Sequence, residues 1–373
     1  MVKILITLLS VIFSITAFAG EVKLGALFSE TGPASYLGHP EKLTAEMLIE
    51  QINAAGGISG DKVVLISYDT QAEEQRTISQ FKRLVTKDRV FAVIGPSTTG
   101  ASLAIKDMAE KYKVPLISCA ASAAIVNPVN KFVFKTPQTD VLAAERIYRY
   151  MKEKGMKTAA LLTSQSGFGT TGRDALMSRA ADMGIEIVAD EKFGDKDKDM
   201  TSQLGKIKAV NPDAVICWGV GPAPAIVAKN ARDLGMANVL MSHGVASAKF
   251  IELAGDSAEG IKLPAGRLAV TDRLEDSDPF KSLLTKYKSD YESKYSLPVS
   301  SFGGYAYDAV YLFKAAYEKS GKNTEKFAAA LASVKGFMSA TGEFNMTETD
   351  HNGLSSDAFV MVEIKNGNFE LVK

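Results

Sequence analysis

Residues Val90–Ala104 read VFAVIGPSTTGASLA. The run from Val90 to Ile94 is apolar without alternation, so it reads as a short strand covered on both faces, which is the situation of a strand in a parallel sheet flanked by helices. Gly95 and Pro96 end it, and the small hydroxyl residues Ser97, Thr98 and Thr99 open a helix from about Gly100. In open parallel sheets ligands sit outside the carboxyl ends of the strands. The same fifteen residues therefore suggest both a fold class and a place for a ligand.

Working outward, the unit recurs. EVKLGALFS, KVVLISYD and VPLISC read as further strands, and KLTAEMLIEQINAAGG as an amphipathic helix with Leu43, Met47, Leu48 and Ile52 on one face. A second series begins near Asp140, alternating helices with the strands TAALLTS, EIVADEKF, DAVICWGV and NVLMSHG. The repetition predicts two similar α/β lobes with Rossmann-like parallel sheets. The tail departs from it: two helices are followed by DAFVMVEIKNGNFELVK, where Asn366-Gly367 between alternating apolar residues reads as a type I′ hairpin turn.

The ends and the charge narrow the class. Residues 1–19 carry Lys3, an apolar stretch from Ile4 to Ile15 and the small-residue site Ala17-Phe18-Ala19, the pattern of a cleaved secretory signal. No cysteine stands at the cleavage point, so a freely diffusing periplasmic protein is expected, without stable membrane insertion. Lysine plus arginine equals aspartate plus glutamate at 43 each, which gives no bulk attraction for nucleic acid. The two cysteines, Cys119 and Cys217, lie in separate apolar runs and read as small core residues rather than as a bridge.

One motif invites a nucleotide reading. Gly167, Gly169 and Gly172 have the spacing G-x-G-x-x-G. Ser164, Gln165 and Ser166 separate the preceding strand from the first glycine, however, where a dinucleotide loop turns at once. The glycines are better read as letting a loop of the second lobe approach a cleft, with Phe168 at its tip. His39, His243 and His351 are scattered, and no zinc, nucleophile-elbow or P-loop motif accompanies them. No enzyme, cofactor or metal is expected.

Chemistry is better sought at strand-to-helix junctions. Ser97, Thr98 and Thr99 form one; Ser122, with the N–H groups of Ala121 and Ala123, forms a second in LISCAASAAIV. Two helix starts with spare donors in one lobe would clamp a carboxylate. Each taken alone reads more readily as an ordinary helix cap.

The ordered segments LGALFSETGPASYLG, INAAGGISGDKVVLISYD, VFAVIGPSTTGASLA, VPLISCAASA, FVFKTPQTD and SFGGYAYDAV resemble the leucine/isoleucine/valine-binding protein family, type I periplasmic solute-binding proteins of ABC importers. The resemblance spans essentially the whole chain after the signal. It implies two Rossmann-like lobes on a three-segment hinge, residues 21–140 plus 269–344 and residues 141–268 plus 345–373. It also implies that Ser97, Thr98, Ala121 and Ser122 hold a ligand carboxylate. Tyr36 and Phe168, with Phe302, Tyr305 and Trp218 as further candidates, would supply an apolar wall.

One position departs from the family. Its amino-acid binders place an acidic residue after the last strand of the second lobe to neutralise the ligand ammonium, and the matching residue in LMSHGVAS is His243. An imidazole cannot replace a carboxylate as that counter-charge. Either the ammonium finds another partner, or the ligand is an aromatic or aliphatic acid without one; His243 is equally readable as a packing residue. The implied partners are a small carboxylate or amino acid and an ABC permease, with the protein acting as a monomer. A sensory ligand-binding domain is the alternative from another class.

Overall fold

A computed structural model describes residues 18–372; of the proposed signal segment, all but the last two residues lie outside that range. The first half of the chain forms β1 (Gly20–Phe28), α1 (Ser35–Ala54), β2 (Asp61–Asp69), α2 (Glu74–Arg83), β3 (Ala92–Ile94), α3 (Thr99–Tyr112), β4 (Leu116–Ser118) and β5 (Val133–Lys135). After α4 (Asp140–Glu153), a second series runs β6 (Thr158–Ser164), α5 (Gly167–Ala180), β7 (Glu186–Phe193), α6 (Thr201–Ala209), β8 (Ala214–Trp218), α7 (Ala223–Asp233), β9 (Val239–Met241), α8 (Ala248–Ala254) and β10 (Lys262–Ala265). The remainder is α9 (Lys281–Tyr295), α10 (Ser301–Ser320), α11 (Thr324–Ala332), the short β11 (Phe337–Met338) and β12 (Glu343–Phe344), and the hairpin β13 (Val360–Lys365) and β14 (Asn368–Leu371).

The strands sort into two sheets. The first is all parallel in the order β2-β1-β3-β4-β5; the second has the order β14-β13-β10-β9-β8-β6-β7, parallel except where β13 and β14 are added. The central strands β3, β4 and β8 are buried along their whole length, as their unbroken apolar sequences require. The hairpin turn has positive φ at Asn366 and Gly367 and pairs Lys365 with Asn368, matching the type I′ geometry. Between the sheets the chain crosses three times: between β5 and α4, after β10, and between β12 and β13.

Polar groups tie the crossings together. Gln138 donates its side-chain N–H to the Ala358 carbonyl at 2.8 Å, Arg267 donates to the Asp357 carbonyl at 2.6 Å, and Asn352 donates to the carbonyls of Lys135 and Pro137 at 3.2 and 2.9 Å. His351 stacks on Phe134 with ring centroids 4.1 Å apart and bonds the Val133 carbonyl through Nδ1 at 2.8 Å, so it is a structural residue of this hinge. Lys135 is fully buried here, its Nζ donating to the Pro137 carbonyl. Burial pushes its ammonium down to about 7, against the opposing influence of Asp140 and Asp350.

Two local readings are corrected. The first helix begins at Ser35, ahead of Pro40, because Leu37, Gly38 and Pro40 are buried against the lobe and that packing overrides the breaker. The three spaced glycines lie in the first two turns of α5, not in a loop, with the Ser166 side chain accepting from the Gly169 N–H at the helix start. Each permits a close approach: a Cβ on Gly169 would fall 2.0 Å from the Ser164 carbonyl oxygen, and one on Gly172 2.0 Å from Trp218 Nε1. On Gly167 it would lie 3.1 Å from Cα and N of Gly100, at the start of α3 in the other lobe.

The glycine motif is thus a packing device that seats α5 on its sheet and on α3. The Trp218 ring is fully buried, so an added methyl would have to displace a packed side chain. Gly172→Ala is therefore expected to lower stability by about 1 to 3 kcal/mol, the usual range for overpacking, measured as a drop in Tm. An unchanged Tm would mean that the indole yields freely.

Candidate functional site

Four strand ends meet between the lobes. Ser97, Thr98 and Thr99 follow β3, Cys119, Ala120 and Ala121 follow β4, Val220 follows β8, and His243 and Gly244 follow β9. Leu37 from α1, Phe168 from α5, and Phe302 and Tyr305 from α10 complete a cavity of about 40 Å³. One water needs about 10–15 Å³ by the same measure, so the space is small but real. Its position at the carboxyl ends of both parallel sheets is where such folds place ligands.

The polar end is built by α3. Thr98 is its N-cap and makes no side-chain cap bond, leaving the first N–H groups of the helix without that partner. The Thr99 hydroxyl is buried and has no hydrogen-bond partner. Opposite, α5 brings Phe168 to the cavity with Gly167 against Gly100, so two helix N-termini from different lobes converge here.

The expected carboxylate clamp is only partly assembled. Ser97 lines the cavity, but its Oγ accepts from the Ser29 N–H at 3.0 Å and donates to buried Glu41, so that hydroxyl is committed within the lobe. Ser122 does not line the cavity: it is fully buried and its Oγ accepts from the Ala124 N–H at 3.1 Å. No α-helix starts there. A single 3₁₀ turn, Ala123–Ile125, follows, and the Ala123 N–H donates to Asp140 at 2.9 Å. Ala121 does reach the cavity. Thr99 stands where a spare hydroxyl was expected from Ser97 or Ser122.

The apolar end is aromatic. Phe168 and His243 meet edge to face at 5.3 Å, and Phe302 and Tyr305 at 5.9 Å on the opposite wall. Trp218 lies behind this surface, 5.6 Å from both Phe168 and His243, and does not line it. Phe359, not expected from sequence, backs His243 at 5.2 Å. Tyr36 is also off the cavity. It packs on Phe302 at 5.5 Å and reaches across to the second lobe, its hydroxyl accepting from the Gly221 N–H at 2.8 Å and donating to the Gly244 carbonyl at 3.2 Å.

His243 is 3% exposed and lines the cavity, and neither of its ring nitrogens has a hydrogen-bond partner. Burial, reinforced by the nearby Lys135 charge, pushes the imidazole down to about 3, so it is neutral at physiological pH, with one donor and one acceptor. No lining residue is acidic or basic apart from this ring. Behind the wall, Asp140 accepts from the N–H groups of Ala123 and Val141, Asp308 from Ser339, Ala340 and Thr341, and Glu41 from Ser97 through one oxygen, its Oε1 being buried without a partner.

Leu37, Thr99, Cys119, Ala120, Val220 and Gly244 complete the lining beyond the expected residues. Their shared signal is position, within a few residues of a strand end. Both cysteines are buried and free. Among the described residues, no cluster of His, Cys, Asp or Glu could hold a metal ion, and no helix is long and apolar enough to cross a membrane.

Two parallel-sheet lobes linked by three crossings, with a cavity at their facing strand ends, define a type I periplasmic binding protein fold. Similar solved structures include an extracellular ligand-binding receptor from Rhodopseudomonas palustris HaA2, with TM-score 0.87 at 27% identity over 94% of this chain and 99% of that one. Another is the branched-chain amino acid transporter substrate binding protein LivJ from Streptococcus pneumoniae in complex with isoleucine, with TM-score 0.83 at 28% identity over 94% and 98%. In sequence, the Leu/Ile/Val-binding protein BraC3 of Rhizobium johnstonii is 27% identical over 370 residues, 97% of each chain. The periplasmic binding protein family model matches residues 21–368. The chain belongs to that family, in its leucine/isoleucine/valine-binding group, whose members bind solutes and are not enzymes.

Two measurements check this geometry. The His243 imidazole has a folded pKa below its ordinary 6.5. The unfolded chain therefore takes up the proton first, and this residue's contribution to stability is complete above about pH 6.5 and declines as pH falls toward 3. Its NMR signal should not titrate between about pH 8 and 5; a midpoint near 6.5 would contradict its burial. Tyr36→Phe removes both lobe-crossing bonds. At about 1 kcal/mol for a typical bond, it should shift the ligand-free protein toward a larger radius of gyration in small-angle scattering. An identical radius would show that the bonds do not hold the lobes.

Proposed function

We propose that this chain is the capture component of an ABC importer, taking a small, predominantly apolar carboxylate from the periplasm and delivering it to a membrane permease. The observation that carries this reading is the uncharged, aromatic-walled cavity at the joined N-termini of α3 and α5, with the unpartnered Thr99 hydroxyl at its rim. A carboxylate there meets two positive helix ends and a buried donor, while its apolar body meets Phe168, Phe302 and Leu37.

Residues 21–140 plus 269–344 would move as one body and residues 141–268 plus 345–373 as the other, with the polar-tied crossings as hinge. Ligand closes the lobes only to the extent that it binds the closed form better than the open one. In this reading the signal is cleaved after Ala19 and the protein works as a monomer. The names of the relatives, which include leucine, isoleucine and valine binders, favour importer service over a sensory role.

A thermal-shift panel of small hydrophobic amino acids and acids on the mature protein tests the reading, because a ligand of the folded form raises Tm by mass action. Thr99→Val keeps the shape and removes the hydroxyl. It should weaken the best ligand by about 1 to 3 kcal/mol, the range for a hydrogen bond to a charged group. Unchanged affinity in calorimetry would remove the α3 N-terminus from the carboxylate site.

A further inference from the structure

The cavity is asymmetric in what it offers a ligand. The first lobe presents donors suited to a carboxylate, at Thr98, Thr99 and the start of α3. The second lobe presents aromatic surface and one polar side chain, His243. Nothing in the lining supplies negative charge; of the carboxyls behind it, Asp140 and Asp308 accept from backbone N–H groups, and Glu41, in the first lobe behind Ser97, is bonded through one oxygen while its Oε1 is buried without a partner.

An α-ammonium held in this space would be removed from water with no carboxylate in the lining to pair it, which is strongly unfavourable. His243 presents the opposite chemistry. A neutral imidazole has one N–H, and both of its nitrogens are buried without partners in the cleft. Unpartnered buried donors are destabilising unless something in the site takes them up. The N–H suits a carbonyl or hydroxyl oxygen on the ligand, and Phe168 and Trp218, packed edge to face, with Phe359 tilted behind, hold the imidazole in place.

We propose that the ligand is a short-chain carboxylate bearing a neutral α-oxygen, a 2-oxo acid with a small apolar or aromatic body, and that His243 selects it over the corresponding amino acid by donating to the oxo oxygen. The inference rests on the solute-capture reading above and specifies its substrate class. The second ring nitrogen is left as an acceptor, which an α-hydroxyl could satisfy, so 2-hydroxy acids rank second. Discrimination arises because the ammonium finds no anion, while the oxo oxygen finds a donor otherwise left unpaired.

Calorimetric titration of the wild-type mature protein with matched pairs tests this: α-ketoisovalerate against L-valine, α-ketoisocaproate against L-leucine, and phenylglyoxylate against L-phenylglycine. In at least one pair the oxo acid should bind ten-fold or more tightly than its amino acid. Equal or tighter binding of the amino acids overturns the inference and leaves solute capture standing; no binding by either member of any pair, in a protein that melts cooperatively, overturns both. His243→Asp supplies the missing counter-charge and should move the preference toward the amino acid by ten-fold or more. An unchanged preference in a folded variant overturns the role of His243. Should that variant not fold, the wild-type pairs decide alone.

Discussion

Two helix N-termini, those of α3 and α5, meet across the cleft with Gly167 against Gly100. Each carries roughly half a positive charge. At a separation of about 5 Å and an effective dielectric constant of about 20, they repel by about 1 kcal/mol. A single carboxylate about 5 Å from both is attracted by about 3 kcal/mol on the same reckoning. The lobes thus oppose each other mildly when nothing lies between them, and an anion reverses the sign. A small residue makes the approach possible, since a side chain at Gly167 would run into the Gly100 backbone.

The rest of the molecule serves that meeting. Unbroken apolar strands fix where the helices start, because each strand end is set by burial in its sheet. The three crossings are mutually hydrogen-bonded through polar side chains, which keeps the lobes in register. Tyr36 adds a small specific bridge from α1 to the loops after β8 and β9. Closure assembled from modest terms of this kind can be tipped by one small ligand.

The alternation of strands and helices, the two sheets and the closing hairpin were legible in the sequence because each depends on local pattern. The site was legible at strand ends and less so at individual atoms. Ser97 and Ser122 look like Thr99 in sequence, and their partners separate them: distant Glu41 claims the first, the Ala124 N–H of its own turn claims the second, and the third has none. The junction at Ser122 carries a single 3₁₀ turn in place of the expected helix, and Asp140, at the start of α4, accepts the Ala123 N–H. Tyr36 and Trp218, candidates for the wall, stand off it. One bridges the lobes and the other lies behind the glycine-packed start of α5.

The most direct measurement is a crystal structure of the mature protein with its best-binding solute. A closed form is expected in which the carboxylate lies between the first turns of α3 and α5, within hydrogen-bond distance of Thr99 Oγ1, and the His243 ring contacts the substituent beside it. A carboxylate bound elsewhere, or lobes that stay apart with the solute on the first lobe alone, would contradict it.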